Sequence, residues 1–317
     1  KQPQVSTAKF DGKFHQAKVW VNASLASGPE GKITYQWYVN GTEFKGTGSG
    51  SYKITLTQSD LATTEGKDWE YSAQVYCKLS YQSYTAKTDT VTVTVNTCTH
   101  EKYTHEGKCQ RCGEPCSEEV LFICEDGLPY SSELHGGEAL VGDTLSSGSS
   151  GGTFYFVRNI DAILRAGGGD GTNKKDLTLD LQGHKVKALD LQNCPYNSVT
   201  IKNGTIEGIG EVIATKDPTV LILDSVTTGG GLVNNLFTLT VKGNCVFKHQ
   251  VNFLGKTQLQ GGTFQRGIHA ALGKEALALL ADGYAFADAD SNEILNVSNV
   301  DISNRAVKVV AHTDQYQ

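Results

Sequence analysis

A short strand-like sequence recurs through the second half of the chain and constrains the fold more than any other feature. Each copy alternates aliphatic with polar residues and ends in a turn sequence; the copies lie at 177–183, 199–204, 221–225, 239–243 and 257–262. Their equivalent central positions are Leu179, Ile201, Leu223, Val241 and Leu259. These positions are 22, 22, 18 and 18 residues apart, within the range of rung lengths in a β-solenoid, and a similar segment at 153–157 precedes them. The repeat therefore predicts a right-handed parallel β-helix over residues 153–264.

The residue after each central position provides a separate check on this alignment. These residues are Asp180, Lys202, Asp224, Lys242 and Gln260. Because alternate residues of a strand point to opposite faces, they are expected on the outer face when the central residues point inward. Their charges alternate in sign, so stacked neighbours would attract each other. The charge pattern therefore supports the same register as the apolar pattern.

The composition favours an all-β chain with more than one domain. Its 317 residues exceed the ~250–300 at which a single hydrophobic core stops growing. Glycine is abundant and proline scarce, while threonine, valine and leucine recur in short runs, as is typical of short strands joined by turns. The formal charge is −6 with no basic block, which argues against nucleic acid as a partner. No run approaches the ~20 apolar residues of a membrane span, and a start at Lys1 without a signal peptide is typical of a mature or excised fragment.

Residues 1–97 contain strand patterns at regular spacing and predict a β-sandwich. The predicted strands are 17–23, 33–39, 51–56, 70–79 and 88–95. Trp37 fits the buried tryptophan of an immunoglobulin-like third strand, and 68–73 resembles the approach to a tyrosine corner. Ala73 stands where antibody domains place a cysteine, so the resemblance is to bacterial immunoglobulin-like repeats. The resemblance implies a spacer or an adhesive module.

Residues 98–116 form a small cysteine-rich module with the most specific chemical pattern of the chain. Cys109 and Cys112 are separated by two residues and followed by glycine, a knuckle whose two thiolates converge on one ion. Cys98 and His100 supply a second close pair. Three thiolates and one imidazole suit structural zinc with closed tetrahedral coordination. The sequence therefore predicts a zinc-ribbon-like site.

Two alternatives to this ligand set remain open. His105 and Cys116 are spare candidate ligands in the same segment. The cysteines of 98–112 could instead be joined in disulfides, as happens in secreted proteins. A catalytic zinc is not indicated, because no His-Glu-x-x-His sequence is present.

The remaining segments flank the solenoid. Residues 117–152 are predicted to be a linker or the entry to the β-helix, since they end in a run of serine and glycine. After Phe264 the period breaks, and 265–317 are predicted to form a C-terminal cap with a helix at 274–281 and a hairpin around 288–292. Asp288, Asp290 and Asn292 imitate the start of a calcium loop, but the required glycine and glutamate positions are not matched, which favours a solvated turn.

Several of these segments resemble the β-helical regions of large cell-surface proteins from Gram-positive bacteria. The segment 178–186 is close to their recurrent Thr-Leu-Asp-Leu-Asn-Gly-His motif, and 261–264 and 280–286 are also similar. The resemblance covers roughly residues 98–312. It implies an extracellular protein of the cell surface or cell wall.

We expect a binding function: a monomeric adhesin, or a module for host glycans or extracellular matrix proteins, without catalytic or organic-cofactor sites. Tyr81, Tyr84 and Tyr196 are candidate sugar platforms, although ordinary core or surface roles also explain them. A β-helical polysaccharide lyase or glycoside hydrolase is one alternative, but Asp180 and Asp224 are separated by the rung that carries Lys202, unlike a facing acid/base pair. A structural stalk of a larger surface protein is the other alternative.

Overall fold

The structure is a computed structural model in which the chain is all-β. It describes residues 4–7, 16–24, 31–129, 144–146, 152–167, 176–190, 196–208, 220–229, 233–234, 238–253, 255–269 and 273–312. Within these ranges the single α-helix is α1 (Lys274–Leu277), and a 3-10 turn lies at Gln58–Asp60. The all-β prediction is therefore confirmed. The chain divides into two compact units, Lys1–Glu101 and Lys102–Gln317. Most of the predicted linker beyond residue 129 lies outside the described residues.

The first unit consists of antiparallel strands in two sheets. The strands are β1 (Gln4–Thr7), β2 (Ala17–Trp20), β3 (Thr34–Val39), β4 (Thr42–Glu43), β5 (Lys53–Leu56), β6 (Ala62–Thr64), β7 (Lys67–Tyr81), β8 (Tyr84–Lys87) and β9 (Val91–Asn96). One sheet has the order β1-β2-β5; in the other, β4-β3-β7-β6 is joined by β8 and β9, which both pair with β7. The five predicted strands are present with shifted ends as β2, β3, β5, β7 and β9. Strand β8 was not predicted, because its hairpin turns at Gln82, an unusual residue for the left-handed backbone it adopts (φ 52°).

The inward residues of both sheets form one apolar core in the first unit. Trp37 lies at its centre, fully buried, and its indole N–H donates to the carbonyl oxygen of Ser51 at 2.8 Å. The predicted burial of this tryptophan is confirmed. Cys77 lies opposite Trp37 across the β3–β7 pair, and burial raises the pKa of its thiol to about 11.

The second unit is built on a β-solenoid. Its strands are β10 (Phe122–Cys124), β11 (Thr144–Ser146), β12 (Gly152–Phe156), β13 (Ile160–Gly167), β14 (Asp176–Asp180), β15 (Lys185–Asp190), β16 (Ser198–Ile206), β17 (Val220–Thr228), β18 (Val233–Asn234), β19 (Thr238–Phe247), β20 (Asn252–Phe253), β21 (Thr257–Phe264), β22 (Tyr284–Asp288) and β23 (Val307–Ala311). Strands β12, β14, β16, β17, β19 and β21 stack in parallel in this order. The prediction of a parallel β-helix is confirmed by this stack.

The register of the stack is the one predicted from the sequence. The central residues pair in succession, beginning with Phe154: Phe154↔Leu179, Leu179↔Ile201, Ile201↔Leu223, Leu223↔Val241 and Val241↔Leu259. All are buried and belong to one apolar core. Each rung adds an aliphatic or aromatic side chain to the ladder, so burial of this ladder stabilises the stack through the hydrophobic effect.

The strand of each rung is longer than predicted. Where the sequence predicted a turn that ends the strand, a single residue with positive φ bends the chain and the strand then continues. The corner residues in three successive rungs are Asn203, Ser225 and Gly243, with φ of 58°, 58° and 64°. Beyond the corner the chain pairs again and forms a second face. Its inward ladder includes Ile206, Thr228, Phe247 and Phe264. The rings of Phe247 and Phe264 stack with centroids 4.7 Å apart.

Antiparallel strands flank the parallel stack at both ends. Strand β10 pairs with β12, and the end of β21 pairs with β23, which also pairs with β22. The predicted hairpin contacts around 288–292 are present: β22 is bridged to the following segment between Ala287 and Ile294, and the backbone amides of Asp288 and Leu295 donate to the carbonyls of Glu293 and Phe286, respectively. Residues 307–311 also pair with β22, and Val307 and Val309 of this strand alternate inward and join the solenoid core. The predicted helix is present but shorter, as α1.

Candidate metal centre

The structure brings together the four residues predicted as zinc ligands. One ligand atom from each of Cys98, His100, Cys109 and Cys112 lies within 4.8 Å of the others. A tetrahedral site with metal–sulfur bonds of about 2.3 Å has ligand–ligand edges of about 3.8 Å. The observed spacing is thus at most about 1 Å wider than the edge of a tetrahedral cage. These four residues could hold a metal ion.

A tight turn positions the Cys109–Cys112 pair. The amide of Gly113 donates to the carbonyl of Cys109 at 2.9 Å, and Gly113 adopts φ 76°. A side chain would be strained in this left-handed conformation, so the glycine that follows the second cysteine closes the knuckle. The amide of Cys109 donates to the carbonyl of Glu114 at 2.7 Å. The sequence prediction of a knuckle is consistent with this geometry.

The other two ligand residues depend on local backbone features that the sequence does not reveal. The amide of Cys98 donates to Oδ1 of Asn96 at 2.8 Å. His100 has φ 53°, a left-handed conformation that is uncommon for a residue other than glycine. Such a conformation costs on the order of 1 kcal/mol or more and persists where surrounding interactions hold it. At His100 it turns the imidazole toward the three sulfurs.

The ligand set is only partly exposed to solvent. Cys98 and Cys109 are buried, whereas His100 and Cys112 are intermediate. Buried thiolates are unfavourable without a compensating cation, and a divalent ion supplies that charge. The burial of two sulfurs therefore fits a metal site.

The two spare candidates lie elsewhere and do not join the cluster. The ring of His105 stacks on Tyr155 of β12 with centroids 3.7 Å apart and an interplanar angle of 5°. Sγ of Cys116 accepts a hydrogen bond from Nη2 of Arg158 at 3.8 Å. The tertiary contacts of His105 and Cys116 therefore leave Cys98, His100, Cys109 and Cys112 as the ligand set.

The segment that carries Cys109 and Cys112 is fastened to the start of the solenoid. Gln182 donates from its amide nitrogen to the carbonyls of His105, at 2.8 Å, and Phe156, at 2.9 Å. Arg158 donates to the carbonyls of Ser117 and Glu118 at 2.8 and 2.5 Å. Sequence analysis missed Gln182 and Arg158, because these bonds join residues far apart in the chain. The solenoid thereby holds the knuckle segment in place.

The residues predicted on the outer face pair as the charge pattern requires. Nζ of Lys202 lies 3.2 Å from Oδ2 of Asp180, and Nζ of Lys242 lies 3.4 Å from Oδ2 of Asp224. Asp180 is stacked against Lys202 in the predicted register but is only 8 % exposed. Its Oδ1 also accepts hydrogen bonds from the Gln182 amide and from Nδ2 of Asn203, both at 3.1 Å. These bonds keep the buried carboxylate satisfied.

The sequence at 288–292 that resembles the start of a calcium loop forms a turn. The carboxylate of Asp288 in this turn already accepts hydrogen bonds from donors of the protein. The Asp288 carboxylate accepts bonds from the amides of Ser291 and Asp290, at 2.9 and 3.1 Å, and from Arg305 at 2.6 Å. These bonds hold the pKa of Asp288 well below its usual range. The ammonium of Lys308 bonds to the carboxamide of Asn292. The geometry favours the solvated-turn interpretation over a cation site.

The candidate sugar platforms differ in their exposure. Tyr84 is 74 % exposed, whereas Tyr196 is buried at 5 % and belongs to the solenoid core, in agreement with the core role that the sequence also allowed. Tyr81 is partly exposed. Of these tyrosines, Tyr84 has the accessibility that ligand contact requires.

Comparison with known proteins adds no assignment: no protein-family model, curated protein or solved structure matches the chain. Across the described residues, no helix has the length and apolar character needed to cross a membrane.

Proposed function

We propose that Cys98, His100, Cys109 and Cys112 bind one structural zinc ion. The donor chemistry supports zinc, because three sulfurs and one imidazole nitrogen are a soft set that fills tetrahedral coordination. A filled coordination shell has no position for substrate or water, so the ion would stabilise a segment too short to have its own core.

We further propose that the chain is a non-catalytic binding module of an extracellular cell-surface protein. The observation that carries this proposal is the pairing of the aligned carboxylates with lysines. Asp180 bonds to Lys202, and Asp224 bonds to Lys242. Carboxylates that act as an acid/base pair instead face a common cleft and hold different protonation states. The outer ladder is arranged for attraction between rungs.

The same proposal includes the finer fold assignments. The first unit would be an immunoglobulin-like module, the solenoid would be right-handed, and residues 265–317 would form its C-terminal cap. Their support is the buried Trp37 between paired sheets and the antiparallel strand β23 at the end of the stack. The resemblance of 178–186 to solenoids of Gram-positive surface proteins supports the extracellular location and host glycans or matrix proteins as partners.

Binding and turnover measured on the full chain test this function. We expect retention by immobilised glycans or extracellular matrix proteins, and no release of reducing ends or unsaturated products from pectin, hyaluronan or mucin glycans. Product formation that disappears in an Asp180→Asn, Asp224→Asn double variant would instead establish the lyase or hydrolase alternative. A chain that binds none of these partners and forms no product would favour the stalk alternative.

A further inference from the structure

The exposed face of the sheet in the first unit carries two lysines over a pair of stacked tyrosines. Tyr38 of β3 lies opposite Tyr76 of β7, and their rings stack with centroids 4.8 Å apart. Lys78 of β7 lies opposite Lys87 of β8. The ammonium of Lys78 is 4.7 Å from the Tyr38 ring centroid, and that of Lys87 is 4.0 Å from Tyr76. We call these four residues the lysine–tyrosine patch.

The fold alone does not account for the charges of this patch. Like charges directly opposite each other across a strand pair are destabilising, and Lys78 and Lys87 occupy such a pair. Contact with the electron-rich tyrosine faces offsets part of this repulsion and holds each ammonium in one place. In the part of the chain that the structure describes, lysines of the solenoid such as Lys202 and Lys242 form ion pairs, whereas neither patch lysine belongs to one. The two lysine ammonium groups of the patch are thus held in place by the tyrosine rings and are available to bind an anionic ligand.

A polar cleft adjoins the patch and shares Lys78 with it. The cleft has a volume of about 340 Å³, near the lower end of the size range of small-ligand clefts. Its lining includes Tyr35, Gln36, Glu43, Lys45, Lys78 and Ser80. Amide, hydroxyl and ammonium groups of this kind donate and accept hydrogen bonds to sugar hydroxyls. The cleft and the patch together form a continuous surface on one sheet face.

We propose that this surface binds a linear glycan that contains uronic acid, with sugar hydroxyls in the cleft and a carboxylate at the lysine–tyrosine patch. This proposal rests on the glycan-binding form of the proposed function and names its ligand class. Charge complementarity supports it, because the chain is acidic overall at −6 while this surface presents Lys45, Lys78 and Lys87.

The surface has few lysines and therefore favours carboxylated glycans over heavily sulfated ones. Glu43 lies in the cleft lining and would repel a chain that carries several negative charges on each disaccharide. Because Glu43 lies opposite Tyr38 at the border of the patch, a glycan with one carboxylate per disaccharide would meet less repulsion there than a sulfated chain and could still place its charge beside the lysines. Hyaluronan oligosaccharides have this chemistry and are the probe of choice.

Titration of the full chain with hyaluronan oligosaccharides tests the proposal. Wild type should bind with an affinity that falls as salt increases. The Lys78→Gln, Lys87→Gln double variant should bind at least ~10-fold more weakly, and Lys78→Arg, Lys87→Arg should retain most of the affinity because it keeps both charges. Lys18→Gln, an exposed lysine of β2 in the other sheet, is the matched control and should bind within ~2-fold of wild type. Intrinsic tryptophan fluorescence, to which the buried Trp37 contributes with Trp20 and Trp69, verifies folding of each variant.

The remaining outcomes separate this inference from the wider function. Equal hyaluronan binding by wild type and the glutamine double variant would overturn the inference. Tighter binding of heparin than of hyaluronan would also overturn it. Binding of neutral glycans or matrix proteins without hyaluronan binding would overturn the inference but leave the proposed binding function intact, whereas no binding to any of these partners would overturn both.

Discussion

The ammonium of Lys242 lies 3.4 Å from the carboxylate of Asp224 on the preceding rung. The two side chains are 43 % and 30 % exposed, so solvent screens their attraction. The register of these rungs is set by the apolar ladder, since a shift of one residue would move that ladder outward. The ion pair is compatible with this register and adds a small, solvent-screened attraction between the rungs.

Reversal of the charge at Lys242 should destabilise the solenoid modestly. Lys242→Glu would place two carboxylates on adjacent rungs, and we expect a loss of about 1 kcal/mol, against about 0.5 kcal/mol for Lys242→Gln. Urea unfolding measures both. The difference between these variants should shrink in high salt; a difference that persists in 1 M salt, roughly a 3 Å screening length, would show that packing, not charge, is responsible.

Removal of one ligand should abolish metal binding, whereas removal of a nearby thiol should not. Elemental analysis of the purified chain should find one zinc per molecule. Cys112→Ser should lose the metal, and Cys116→Ser should retain it, because Cys116 bonds to Arg158 outside the cluster. Zinc affinity should also fall as the pH decreases, since protons compete with the metal for the ligands. Absence of zinc together with a Cys109–Cys112 disulfide in mass spectrometry would refute the site.

Replacement of Thr228 by valine should stabilise the protein. Thr228 is fully buried between Ile206 and Phe247 in the second inward ladder, and within the described residues its hydroxyl has no hydrogen-bond partner. A buried unsatisfied hydroxyl costs roughly 1–3 kcal/mol, and valine has nearly the same shape. We expect a gain of about 1 kcal/mol in urea unfolding with an unchanged m-value. Thr227→Val, the partly exposed neighbour, is the control and should change stability little.

Asp288→Asn should destabilise the C-terminal region in a pH-dependent manner. Hydrogen bonds from Ser291 and Arg305 lower the pKa of Asp288 in the folded state. A lowered pKa means that its stabilising contribution is present above the unfolded pKa and is lost as the pH falls through the folded value. Wild type should therefore be more stable than Asp288→Asn at pH 7, and this difference should decrease in acid below about pH 4.

Thermal unfolding at several pH values measures this effect. Asp290→Asn is the matched control in the same turn, because the Asp290 amide, and not its carboxylate, takes part in the bonding to Asp288. A pH-independent difference between wild type and Asp288→Asn would contradict the electrostatic explanation.

The sequence by itself determined the class of fold, the solenoid register and the identity of the clustered ligands. Leu179 and Ile201 are matched by a local repeat, and their alignment needs no information beyond the spacing of equivalent positions. Cys109 and Cys112 are likewise brought together by a four-residue turn. Features of this kind depend on neighbours in the chain or on a constant period, so they are visible in the sequence.

Only the tertiary structure decided features that join distant residues. Gln182 bonds to His105 across 77 positions of sequence, and β22 pairs with the distant residues 307–311 as well as with the adjacent segment. The burial of Asp180, on the face predicted to be the outer one, arises where several distant side chains meet. No local pattern encodes these contacts, because each depends on which surfaces remain uncovered after the solenoid has stacked. Strand period and turn chemistry specify the rungs, whereas packing between distant segments determines which strands pair at the ends of the stack.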